Sequence, residues 1–284
     1  MIKVDDLSYT YPSGDNPTLH GLSFAIPEGE VFGFLGPSGS GKSTAQKLIT
    51  GQIQPPADTV ELLGRDFTAW GRELYNDIGV CFELPSFFLK LTGRENLDYF
   101  ASLYPRLRSD RAEVIKLLGL EDALDQPVAE YSKGMMTRLG LIRALQHQPR
   151  LLFLDEPTSG LDPASSARVQ DLIRRERSRG VTIFLTTHDM LTADALCDRL
   201  AFLIHGAISC VGSPRTLKQE NGKDQVKVVY ESDDGAEELL VDLKGLGQDA
   251  RFQDVLRRRS ILSIHSQEAT LSEVFIRQTG VALE

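Results

Sequence analysis

The 284-residue sequence contains no apolar run near the ~18 residues that a membrane-crossing helix requires. Its best candidates, Val31 to Leu35 and Leu151 to Leu154, have the length of buried strands. The start, Met1-Ile2-Lys3-Val4-Asp5-Asp6, lacks the apolar core of a secretory signal. Cysteine is scarce: Cys81, Cys197 and Cys210 form no CxxC pair, and an odd, scattered set is expected to be free thiols in a reducing compartment. The five histidines are dispersed too, so no zinc site is expected. The net charge of −9 and the lack of a broad basic footprint argue against a nucleic-acid partner. Low-complexity tracts and repeats of 20 to 50 residues are also missing. These absences leave a soluble, cytosolic globular protein, long enough for one large domain or two.

What is present is an alternation of short apolar strands and helices. Ile2, Val4 and later Leu22, Phe24 and Ile26 alternate with other residues, around a turn-rich segment from Tyr11 to Pro17. Val31 to Leu35 reads as a buried strand, followed by a glycine-rich loop and a helix from Ser43 to Ile49. From about residue 86 to 150 the pattern turns helical. Thr92 and Glu95 have capping-box spacing, and Leu97, Phe100, Ala101 and Tyr104 follow at helical intervals. Another helix covers Arg111 to Leu118 and stops at Gly119. Strands at 151–154, 181–186 and 201–204, with a helix at 164–179, imply a parallel sheet covered by helices. A boundary falls near Gly212-Ser213-Pro214. Beyond it, strands at 226–230, 239–243 and 261–265 and a last helix opened by Thr270 and Glu273 form a small α+β appendage. Arg257-Arg258-Arg259 reads as a solvated helix end whose charge suits the dipole, with a lipid or nucleic-acid contact as the alternative.

The chemistry is concentrated in one loop. Gly36-Pro37-Ser38-Gly39-Ser40-Gly41-Lys42-Ser43-Thr44 satisfies G-x-x-x-x-G-K-[ST] between a strand and a helix. Its glycines allow backbone amides to converge on phosphate oxygens, and the helix that follows presents its positive end to the same anion. Lys42 is placed for the β- and γ-phosphates and the Ser43 hydroxyl for Mg²⁺. Leu151-Leu152-Phe153-Leu154-Asp155-Glu156 supplies carboxylates at the end of a strand. Asp155 suits the metal, directly or through water, and Glu156 suits a general base that takes a proton from an attacking water.

Further motifs follow in an order that resembles the ABC ATPase family across residues 1 to 212. Tyr131-Ser132-Lys133-Gly134-Met135 resembles the family's signature, usually Leu-Ser-Gly-Gly-Gln. Ser159-Gly160-Leu161-Asp162 looks like the D-loop, Thr187-His188-Asp189 like the switch histidine, and Tyr11 like the aromatic that stacks on adenine. Ile78 to Glu83 resembles the segment that ends in the Q-loop glutamine, with Glu83 in its place. The resemblance implies a P-loop ABC ATPase fold: a mainly parallel core sheet, an N-terminal antiparallel β subdomain, a helical subdomain at about 86–150 and an α+β appendage at 215–284. It implies ATP and Mg²⁺ as ligands. Ser43, Glu83 and Asp155 would stand at the metal, Glu156, His188 and Glu83 at the chemistry, Ser132 and Gly134 at the nucleotide of an opposing copy, and Asp162 of the D-loop among the nucleotide-binding residues. The tail, Ala269 to Ile276 with Thr279-Gly280, resembles ATPases that serve ABC-2 type exporters.

That resemblance implies an ATP-hydrolysing subunit working as a head-to-tail dimer on a separate transmembrane permease, peripheral to the inner face of the cell membrane. The apolar Phe87-Phe88-Leu89 is either core or a docking point for that permease. A soluble ABC ATPase acting as an assembly scaffold is the alternative. Ribosomal relatives carry two cassettes where one is seen here, and the gap from Ser43 to Ser132 is too short for the coiled coil of the repair type.

Overall fold

The computed structural model describes residues 1–12, 14–83, 86–222, 225–232, 235–266 and 269–281; Ser13, within the expected turn, lies outside them. The chain divides into two compact units, Met1–Ser213 and a second from Pro214 onward. The first carries β1 (Ile2–Tyr9), β2 (Leu19–Ile26), β3 (Val31–Leu35), α1 (Lys42–Ile49), β4 (Val60–Leu62), β5 (Arg65–Asp66) and β6 (Ile78–Cys81). Then come α2 (Gly93–Ala101), α3 (Arg111–Leu117), α4 (Lys133–Leu145), β7 (Leu151–Asp155), α5 (Pro163–Ser178), β8 (Thr182–Thr187), α6 (Met190–Leu196), β9 (Arg199–Ile204) and β10 (Ala207–Gly212).

Two sheets organise this unit. An antiparallel sheet runs β2-β1-β4-β5, and a six-stranded sheet runs β10-β9-β3-β8-β7-β6. In the latter only β10 is antiparallel to its neighbour. β3 and β8 are buried along their whole length, as expected of parallel strands covered on both faces. Phe24, Phe32, Phe34, Phe153 and Phe184 pack between the two sheets, with ring centroids of Phe34 and Phe184 5.1 Å apart. The register pairs Leu35 with Thr187, Asp155 with Thr186 and Cys81 with Leu154. The residues that follow β3, β6, β7 and β8 therefore leave the sheet at one end, where open α/β sheets place their ligands.

The helical stretch forms as its local signals direct. Thr92 accepts from the Glu95 amide while the Glu95 carboxylate accepts from the Thr92 amide, so both halves of the capping box are made. Elements without a local signal escaped the sequence reading: the short hairpin of β4 and β5, the seven-residue α6, and β10, whose residues are nowhere fully buried.

The second unit contains α7 (Pro214–Asn221), β11 (Gln225–Ser232), β12 (Gly235–Asp242), α8 (Ala250–Arg258), β13 (Ile261–Ser266) and α9 (Leu271–Thr279). Its antiparallel sheet runs β12-β11-β13 and packs Val226, Val228 and Val241 against Phe252 and Val255 of α8. Thr270 and Glu273 make the second capping box, and Gly280 closes α9 at φ 69°. α8 ends in Arg257 and Arg258, whose charges face the dipole as expected.

Candidate active site

The loop between β3 and α1 is shaped by its glycines. A Cβ on Gly36 would lie 2.2 Å from the Leu203 carbonyl oxygen, so only glycine lets the loop pass β9. Gly41 caps α1 at φ 107°, with no side chain closing the helix end. The free first-turn amides thus remain available to an anion. Lys42 Nζ donates to the Gly36 and Pro37 carbonyls at 2.7 and 3.0 Å, which folds its ammonium across the loop. Burial pulls the lysine's pKa down, against the opposing pull of Glu156 and Asp155.

A cavity of about 260 Å³ opens over this loop, lined by Thr18, residues 38–44, Glu83, Asp155 and Glu156. Asp155 accepts from the Thr186 hydroxyl, and its carboxyl is pushed up by burial first and then by the charges of Glu156 and Glu83. Glu156 sits in the left-handed region at φ 49°, its amide donating to the Thr186 carbonyl at 2.9 Å. One carboxylate oxygen accepts from His188 Nδ1 at 2.8 Å and the other from the Thr187 hydroxyl at 3.1 Å. The Thr187 hydroxyl in turn accepts from the Asp189 amide at 3.0 Å. Glu83 reaches the same cavity from the end of β6.

Other expected residues stand elsewhere. Tyr11 does not line the cavity; its hydroxyl lies 3.2 Å from Thr44 Oγ1 and its ring meets Tyr9 edge-on. Ser132 caps α4 by accepting from the Met135 amide, and Asp162 caps α5 by accepting from the Ser165 amide. These two and Gly134 lie outside the cavity but near one another: a Cβ on Gly134 would be 3.0 Å from the Leu161 side chain, and one on Gly160 3.7 Å from Lys133 Cδ. Thr18 and Thr186 were missed by the sequence reading, and Thr187 entered it only as a member of the motif around His188. Thr186 and Thr187 precede His188 in a strand and carried a hydroxyl signal, whereas Thr18 reaches the cavity only through the fold.

The residues present fit a magnesium nucleotide. The Ser40 hydroxyl is buried with no partner among the described residues, and a Cβ on Gly39 would meet nothing within 4 Å. No described cluster of three or more His, Cys, Asp or Glu could hold a metal alone. Mg²⁺ beside phosphates is satisfied by one or two carboxylates, a hydroxyl and the phosphates themselves, which is the donor set of Asp155 and Ser43.

Comparison with known proteins agrees with this geometry. The model of the ABC transporter family matches residues 19–159, and that of the fluoroquinolone efflux ABC transporter C-terminal domain matches residues 224–268. A fluoroquinolones export ATP-binding protein of Mycobacterium tuberculosis is 45% identical over 99% of this chain and 93% of its own length. A Nod factor export ATP-binding protein of a Rhizobium species is 35% identical over 95% of both chains. Among solved structures, an ATP-binding subunit of an ABC transporter superposes with a TM-score of 0.70 at 27% identity, over 78% of this chain and 92% of that one. A dimeric ATP-binding cassette in a post-hydrolysis state with ADP and Pi gives 0.68 at 26%, over 75% and 98%. With relatives this similar over nearly its full length, the chain belongs to the ABC transporter family of ATP-hydrolysing, ATP-binding subunits.

Proposed function

We propose that this chain is the motor subunit of an ABC exporter, working as a dimer on a separate membrane subunit. The observation that carries it is the match to export ATP-binding proteins across both units, including the efflux-type C-terminal segment at 224–268. No helix among the described residues is long and apolar enough to cross a membrane, and a separate membrane subunit would supply the transport path. Phe88, Leu89, Tyr99, Leu103 and Leu107 are each about half exposed or more, and Phe88 packs on Tyr99 and Phe100. This apolar patch, at and near α2, supports docking of the membrane subunit there.

Within the site, the loop amides, Lys42 and Thr44 hold the phosphates, and Tyr11 stands beside Thr44 for the adenine. Ser43 and Asp155, with Glu83 nearby, would hold Mg²⁺, which when bound neutralises phosphate charge. Glu156 takes the proton of the attacking water, oriented by His188 and Thr187. Ser132, Gly134 and Asp162, grouped away from their own cavity, serve the nucleotide of the opposing copy. The test is to express the tagged chain in its native cells, purify it in mild detergent, and measure fluoroquinolone accumulation beside a Lys42→Ala strain. A membrane chain with several apolar helices should copurify, and the Lys42→Ala cells should accumulate more drug. A chain that purifies alone and leaves accumulation unchanged would sink the exporter reading and favour a soluble scaffold.

A further inference from the structure

Two departures from the family pattern meet in space. Glu83 stands where glutamine is usual and Lys133 where the signature has glycine, 50 residues apart, and Lys133 Nζ donates to Glu83 Oε1 at 3.3 Å. The side chains are 45% and 46% exposed, so the contact adds little to folding stability. Its position gives it consequence. Among the described lining residues the phosphate cavity has three carboxylates, Glu83, Asp155 and Glu156, against one cation, Lys42. A polyphosphate entering it meets one more negative charge than the family pattern provides. The backbone at Lys133 is fixed by the helix it opens: Ser132 caps the first turn of α4 by accepting from the Met135 amide.

We propose that Lys133 is the counter-charge that permits a glutamate at position 83, screening it from the nucleotide and so setting ATP affinity in the site of the same chain. The inference rests on the cavity being the nucleotide site. It assigns the substitution in the signature a role in cis, distinct from any contact with the opposing copy. Lys133→Met leaves Glu83 unopposed and weakens ATP; once Glu83 is neutral, Lys133 has nothing to screen and its loss has no effect.

The experiment is equilibrium binding of a fluorescent ATP analogue to the full chain, for wild type, Lys133→Met, Glu83→Gln and the double variant. At low salt Lys133→Met should weaken binding about three- to five-fold, the range open to an exposed charge contact. The effect should shrink toward none near 1 M salt. In the Glu83→Gln background the same change should alter affinity less than about 1.5-fold. Equal weakening in both backgrounds would mean that Lys133 acts on the nucleotide or fold independently, and no weakening in either would mean that it screens nothing; each result overturns the proposal. Lys42→Ala serves as the separate control. If it binds as tightly as wild type, the cavity is not the nucleotide site and the functional reading itself fails.

Discussion

Glu156 is fixed well enough for its replacement to be an informative chemical test. His188 Nδ1 holds one oxygen at 2.8 Å and the Thr187 hydroxyl the other at 3.1 Å, and the side chain is only 12% exposed. Glu156→Gln keeps the shape and one acceptor oxygen. Its new amide hydrogens can be accepted by Thr187, whose hydroxyl rotates, or by the other tautomer of His188. The side chain therefore stays in place, and what is lost is the ability to take a proton. A positioned general base contributes about 10²- to 10⁴-fold, or about 2.7–5.4 kcal/mol of barrier at 1.36 kcal/mol per decade. Binding should not suffer, since the loop and Lys42 are untouched and one negative charge beside the phosphates is removed. The assays are steady-state ATP hydrolysis at saturating ATP, equilibrium binding, and gel filtration with ATP to detect a trapped dimer. Turnover falling at least 100-fold with affinity kept or raised is the expected outcome. A variant retaining more than about a tenth of wild-type turnover would mean that another group activates the water.

Four further outcomes follow from the same geometry. Lys42→Ala and Ser132→Arg chains, each inactive alone, should regain part of the ATPase activity when mixed, because one composite site per mixed dimer is intact; mixtures that form dimers yet stay inactive refute the shared site. Truncation after Ser213 removes the second unit and should leave ATP binding by residues 1 to 212 intact, as nucleotide titration of the folded truncated protein would show. Arg108→Met should destabilise the fold by up to about 3 kcal/mol in denaturant melts, because it leaves the buried Glu176 with only the longer 3.3 Å contact from the partly exposed Arg179, whereas Arg108→Met with Glu176→Leu should recover most of the loss. Burial pushes the Cys81 and Cys197 thiols up to about 12, so at pH 8 both should resist alkylation until the protein unfolds. With folded pKa values above the unfolded ones, their contribution to stability is complete below about pH 9 and is lost as pH rises toward 12. Native-state labelling of all three cysteines at one rate would contradict the burial.

The parts of the site written in consecutive residues were legible in the sequence. The phosphate loop, the Asp155-Glu156 pair and both capping boxes need only their own neighbours to form, so spacing revealed them. The short hairpin β4–β5 turns on Leu63 and Gly64, both at positive φ, with only Gly64 as a signal. The edge strand β10 has an exposed, half-buried alternation and no apolar run to mark it. Glu83 and Lys133 each stood out as a departure from the family pattern, yet their meeting depends on how β6 and the start of α4 are brought together.

The buried Arg108–Glu176 pair shows why such contacts were out of reach. On α5, Val169, Leu172 and Ile173 are buried at the spacing of one helical face, and the next position on that face is Glu176, 5% exposed. The sequence therefore places a carboxylate at a core-facing position, where an isolated charge would be costly. One cation is local, since Arg179 three residues on donates to Glu176 at 3.3 Å, but that side chain is itself 40% exposed. The buried and closer cation is Arg108, 68 residues earlier, whose guanidinium donates to Glu176 at 2.9 Å and to both oxygens of Asp110. Arg175 and Arg179 donate to Asp110 as well, and the Arg108 contact holds that carboxyl well below the usual carboxylate range. A surface ion pair contributes too little to define geometry, but this one is desolvated: either partner alone is destabilising, while the two together fix α5 against the segment leading into α3. Helical periodicity can thus flag a misplaced charge and its neighbour Arg179 one turn on, while the buried partner at the shorter distance comes only from the tertiary fold.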